Sequence, residues 1–328
     1  MSKPNRIAPP LVLLFLAPLV AEYLLGDLNL RQLVALVALA PLYGGGATLI
    51  REGVRRTGRG WPTFLLLALA YALMEEGLLT QSLFNPDYLH LRLLDYGFIP
   101  ALGTSLAWAV YVLGIHMIWS LAVPIGLAEA LFPARRTAPW LSRFGLILFF
   151  LLFAAGMAMT SRFSLAATPF RASPAQLIFC VVAIVALVAG AFVVPKSVVE
   201  GEAPRPAIPP LLLGFLCLVA GSAFLCAYAF GRSRWPWALT AGADVAVAVA
   251  LCAGFAVSTR RHAWGAMQGF AAACGGLLCY AWFGYRIDRD LHGAGGGVGH
   301  SVFVLLLIAV AVWAGFRTAR AAANPSRA

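Results

Sequence analysis

The sequence predicts an all-α, polytopic transmembrane helix bundle of about ten spans, and three observations carry that prediction. Hydrophobic residues make up 61% of the chain and charged residues 11%, with a mean hydropathy of +0.85, far above the apolar share of a soluble domain. The apolar stretches recur at about 17 to 25 residues, the number a helix needs to cross roughly 30 Å of hydrocarbon at 1.5 Å per residue. The basic residues behind the net charge of +11 and the pI near 9.9 lie in short segments between those stretches. In such a chain that charge reads as membrane topology rather than nucleic-acid binding.

Lys3 and Arg6 precede the first apolar run, residues 7–25. It reads as a retained anchor, because residues 16–22 lack the paired small residues of a signal cleavage site. The second span, 32–50, contains Gly44, Gly45 and Gly46, which suit close helix packing. The basic segment 51–59 reads as a cytoplasmic loop. A third span opens on Trp61-Pro62 and is expected to reach Phe84, before the helix stop Asn85-Pro86. The fourth runs from about Ala101 to Val123 and continues apolar to Phe132, so Pro124 is expected to kink or end it. Spans at 144–160, 176–194, 211–230, 238–257, 264–285 and 301–316 follow, the last after a glycine-rich loop at 293–299. Placing both termini in the cytoplasm puts 16 Lys and Arg inside and 8 outside, as the positive-inside rule requires in a cytoplasmic (inner) membrane.

The chain is expected to form a single transmembrane domain over residues 1–328. Spans three and eight both open on Trp-Pro and both carry acids, which suggests a five-plus-five inverted repeat, about 1–161 and 175–317, on a secondary-transporter plan. All six cysteines fall inside predicted spans and form no disulfide or metal-knuckle pattern.

Chemistry is expected where charge enters hydrocarbon. Glu75 and Glu76 interrupt the third span near its expected centre, and ionisable residues at bilayer depth usually face a protein interior and mark function. On a regular helix Tyr71, Glu75 and Ser82 share one face while Glu76 and Thr80 share the next. Two adjacent carboxylates in a low dielectric resist ionising together. His116 with Ser120 on the fourth span is the expected partner, and Asp244 on the eighth is a third acid. Glu22 and Glu129, nearer span ends, are expected to snorkel. His90, His292 and His300 with Asp87, Asp95, Asp288 and Asp290 read as solvated residues of one side, in no metal-ligand spacing. No metal or cofactor is expected, and the expected partners are the lipid bilayer and a small solute, ion or lipid.

Two glutamates on one membrane helix and a histidine on the next resemble the CPBP (CAAX protease and bacteriocin-processing) family of intramembrane peptidases. That resemblance implies that Glu75, Glu76 and His116 activate water. Thr80 stands where the family has Arg, Val112 where it has Phe, and spans five and six hold neither the His nor the Asn of the third motif. The segment 74–133 looks more like a family of uncharacterised bacterial multipass membrane proteins, which implies no activity.

The leading expectation is a transporter-like protein whose Glu75 and Glu76 bind a proton, cation or polar solute, with His116, Tyr71, Thr80, Ser120 and Asp244 around them. The alternatives are an intramembrane hydrolase and a structural or assembly protein. A cavity reaching Asp244 points to transport, and a pocket holding only the glutamates and His116 points to chemistry.

Overall fold

The computed structural model describes residues 7–195, 206–261, 264–293 and 297–323. Among them, nine helices are long and apolar enough to cross a membrane, preceded by one shorter apolar helix. In chain order they are α1 (Ala8–Tyr23), α2 (Leu30–Arg56), α3 (Trp61–Leu79), α4 (Leu106–Leu131) and α5 (Arg143–Ala167). Then come α6 (Pro174–Val193), α7 (Pro210–Gly231), α8 (Trp237–Arg261), α9 (Ala266–His292) and α10 (Gly297–Ala323). Between α3 and α4 the short strands β1 (Phe98–Ile99) and β2 (Thr104–Ser105) pair antiparallel, with Phe98 opposite Ser105. This is the all-α polytopic bundle the hydropathy predicts.

Local chemistry sets the helix starts. The Ser142 and Ser173 side chains accept from the Gly145 and Gln176 amides and so cap α5 and α6. The Trp61-Pro62 pair opens α3, where proline costs no hydrogen bond.

α3 and α4 form the centre, with 61% of each apolar window buried, against 11% for α5 and α6. α4 packs on α1, α3, α8, α9 and α10. Trp119 of α4 donates to the Gly276 carbonyl at 2.7 Å and stacks on Tyr280 of α9 with ring centroids 4.8 Å apart. Outside this centre, α5 and α6 turn Phe144, Ile147, Phe150, Ile178, Phe179 and Val182 outward, an apolar surface suited to lipid. The glycine run of α2 serves close approach: a Cβ on Gly44 would fall 2.1 Å from the Leu14 carbonyl oxygen, and one on Gly46 2.5 Å from the Tyr71 ring.

Three boundaries differ from the sequence expectation, and of the two outcomes expected at Pro124 one is excluded. α3 stops at Leu79 rather than Phe84, because the Thr80 hydroxyl bonds back to the Glu75 carbonyl at 3.1 Å and competes with the helix ladder. The turn that follows places Gln81 at φ 54° and is pinned by Ser164 donating to the Thr80 carbonyl and by the Ala172 amide donating to Gln81. The basic segment is helical through Arg56, since its charges are paired inside the protein. α4 passes Pro124 without ending, and Val123 to Leu131 are all buried. Gly297 to Gly299 begin α10 instead of continuing a loop, while residues 294–296 lie outside the described residues.

The earlier end of α3 moves its acids. The midpoint of Trp61–Leu79 is residue 70, so Glu75 lies about 7 Å toward the Leu79 end at 1.5 Å per residue. The midpoint of Leu106–Leu131 puts His116 about 4 Å toward the Leu106 end of the antiparallel α4. Both depart from the helix centre in the same direction, which brings them level.

Candidate functional site

Four helices contain one π-helical turn each, and the site is built from these turns. They are Leu19–Tyr23, Ala40–Gly44, Glu75–Leu79 and His116–Ala122. Each closes with an i→i−5 bond, such as Thr80 N–H to the Glu75 carbonyl and Val123 N–H to the Ile118 carbonyl. Pro18, Pro41 and Pro124 lie beside or within three of them and remove a backbone donor, so the regular ladder is already broken there. The fourth contains Gly77. π-Turns occur often at functional sites. Here they carry Glu22, Tyr43, the Glu75 and Glu76 pair, and His116.

His116 is the hub. Its Nε2 lies 3.5 Å from Glu75 Oε2, 3.3 Å from Glu76 Oε1 and 3.2 Å from the Tyr43 hydroxyl. Its Nδ1 lies 2.9 Å from the Val112 carbonyl, which can only accept, so Nδ1 carries a proton. The Tyr43 hydroxyl reaches onward to Glu22 Oε1 at 2.5 Å. Glu76 Oε2 accepts from Thr80 at 3.2 Å and from Ser82, whose hydroxyl accepts from the Trp108 indole at 3.3 Å. The core of the site is dry: Glu75, Glu76 and His116 are 2%, 5% and 7% exposed. Glu75 Oε2 and the Tyr71 hydroxyl have no hydrogen-bond partner among the described residues.

Donor and acceptor bookkeeping allows two proton states on the same heavy atoms. In one, Tyr43 donates to an ionised Glu22 and receives from His116 Nε2–H, so His116 is a cation facing Glu75 and Glu76. In the other, a protonated Glu22 donates to Tyr43, which donates to a neutral His116. The two differ by one proton moved between Glu22 and His116 through a tyrosine. Asp27 lies just beyond Glu22, half-buried, and burial together with the Glu22 charge holds its carboxyl well above the usual range.

The predicted trio Glu75, Glu76 and His116 therefore comes together, with Tyr71 and Thr80 beside it. Ser120 is buried on the His116 turn. The helical-face assignment fails for Ser82, which bonds Glu76 and not Glu75, because α3 ends at Leu79 and Ser82 lies in the turn beyond it. Asp244 does not join: it sits on α8, fully buried, and neither carboxylate oxygen has a hydrogen-bond partner among the described residues. Glu22 does not snorkel but binds Tyr43. Of the residues read as solvated, Asp288 and His300 are buried, 1% and 2% exposed, because both lie on packed helices. Tyr43 and Glu22 were missed as site members; the prolines inside otherwise apolar runs, Pro18 and Pro41, were the available signal.

A second buried charge cluster closes the C-terminal end of α2. Arg51, 0% exposed, donates to Glu129 and Glu52 at 3.1 Å each and to the Arg135 and Arg136 carbonyls at 3.1 and 2.8 Å. Its guanidinium lies 3.4 Å from the Trp140 ring centroid. Arg55 binds Glu129 through both carboxylate oxygens, and Glu52 also receives Arg56 and the Trp140 amide. Glu129 is thus a paired core residue and not a snorkelling one.

An apolar cleft of about 70 Å³ lies among α3, α4, α7, α8 and α9, lined by Trp61, Met117, Trp119, Cys217 and Phe255 among others. No residue of the Glu, Tyr and His cluster lines it.

An uncharacterized membrane protein family has a model that matches residues 11–323. The chain belongs to that family. No curated protein and no solved structure matches it. The match spans both buried clusters and nearly every span, and no comparison extends the peptidase resemblance to this family member.

Proposed function

We propose that this family member is a transporter-like protein of the cytoplasmic membrane, with both termini in the cytoplasm, that moves protons through the Glu22, Tyr43, His116 and Glu75/Glu76 chain. One observation carries the reading: a hydrogen-bonded line from Glu22 through Tyr43 to His116, with the Glu75 and Glu76 carboxylates 3.5 and 3.3 Å beyond it, whose geometry accommodates a proton on Glu22 or on His116. Tyr43 is the necessary middle carrier, since its hydroxyl is the group within hydrogen-bond reach of both Glu22 and His116. The glutamates supply the negative charge that makes a protonated His116 tolerable in a dry interior.

Reconstitution into proteoliposomes containing a pH-sensitive dye tests this. The wild type should dissipate an imposed pH gradient, and Tyr43→Phe, which keeps the ring and removes the carrier, should slow it about 100-fold. Wild-type flux in Tyr43→Phe, or in the Glu75→Gln, Glu76→Gln double variant, would overturn the proposal.

The hydrolase reading keeps one supporting observation, that Asp244 stands apart from the glutamates and His116. It requires cleavage of membrane peptides or lipids by the purified protein that disappears in Glu76→Gln and His116→Gln.

A further inference from the structure

We propose that Glu75, Glu76 and His116 form a binding site for one divalent transition-metal ion, such as Zn²⁺, Mn²⁺ or Co²⁺. The proposal names the cation class of the transporter reading; its coupling to proton movement rests on that reading, whereas metal binding does not.

Distances make the first argument. One ligand atom from each of the three residues lies within 4.8 Å of the others. Charge-assisted N–H···O bonds are about 2.7 to 2.9 Å long, and the His116 Nε2 separations of 3.5 and 3.3 Å exceed that. Two ligands bound at about 2.0 to 2.2 Å and set at a tetrahedral angle lie about 3.3 to 3.5 Å apart. His116 Nε2 is thus spaced from each of the two carboxylates as one ligand is from another around an ion.

The surrounding bonds make the second argument. A metal-binding histidine normally fixes its other nitrogen on a carbonyl or carboxylate, as His116 Nδ1 does on Val112. Glu76 has Oε2 occupied by Thr80 and Ser82 and turns Oε1 toward His116. Glu75 is 2% exposed, and its Oε2 faces the same nitrogen with no hydrogen-bond partner among the described residues.

Charge and donor type make the third. Two carboxylates and a neutral imidazole balance a 2+ ion, and one nitrogen with two oxygens favours a borderline metal over Ca²⁺ or Mg²⁺, which prefer oxygen alone. Occupancy requires Nε2 to lose its proton, and Tyr43 and Glu22 are placed to accept it.

The test uses full-length protein in detergent, stripped with chelator and titrated with Zn²⁺ and with Co²⁺. The wild type should retain one ion per chain by elemental analysis, with the visible absorption of tetrahedral Co²⁺, and should melt at a higher temperature when loaded. Glu75→Gln and His116→Gln should each weaken binding on the order of 100-fold, while Asp244→Asn, outside the site, should still bind and so serves as the folded control. Binding that is absent in the wild type, or undiminished in Glu75→Gln and His116→Gln, overturns the metal proposal. Slowed proton flux in Tyr43→Phe without metal binding leaves the relay standing alone; metal binding with unchanged flux does the reverse.

Discussion

Two clusters of buried charge hold this bundle, and they are built on opposite principles. At the end of α2, three arginines and two glutamates are all paired with one another, and Arg51 uses four N–H bonds on carboxylates and carbonyls. Around His116, acids outnumber bases, the ion-pair distances are long, and a carboxylate oxygen and a phenol lack hydrogen-bond partners among the described residues. Buried polar groups are ordinarily satisfied, so the first cluster reads as a lock on the fold and the second as a place kept ready for something that arrives and leaves.

That contrast can be broken by removing charge from each side. Glu129→Gln should have the largest effect, about 3 to 5 kcal/mol of lost stability, because it leaves Arg51 and Arg55 buried against an uncharged amide. Thermal unfolding in detergent, with the folded yield, measures it. Glu75→Gln should change stability by only about 1 kcal/mol in either direction, since the oxygen it alters satisfies no hydrogen bond. A loss as large as that of Glu129→Gln would erase the distinction between lock and site. Asp244→Asn should cost least, since it replaces a buried carboxyl without hydrogen-bond partners among the described residues by a neutral amide, and should leave proton flux at the wild-type rate; a loss of flux would restore Asp244 to the site.

The class of fold was legible because burying backbone in lipid demands long apolar helices, and the ten apolar segments announce themselves. Glu75, Glu76 and His116 were legible because charge is conspicuous in such runs. Their companions were not. Tyr43 looks like any aromatic in an apolar span, and Glu22 sits where a snorkelling acid would sit. Ser82 pairs with Glu76 for a geometric reason: α3 ends at Leu79 and the chain turns at Gln81 before reaching Ser82, so a 3.6-residue wheel does not place it, and no hydrophobic period reveals that end. Arg51 to Arg56 resembled a topogenic loop, because pairing with Glu52 and with Glu129, some 75 residues on, is invisible until α4 packs beside α2.

The order of the site along the chain has a consequence for biogenesis. Glu22, Tyr43, Glu75, Glu76 and His116 all lie in roughly the first third of the 328 residues. Every member is therefore synthesised before the last six helices, and α1 to α4 bring the complete polar set to the insertion machinery first. The costly acids can meet His116 and Tyr43 while the rest of the protein is still on the ribosome, and the later helices close around a centre that already has its partners.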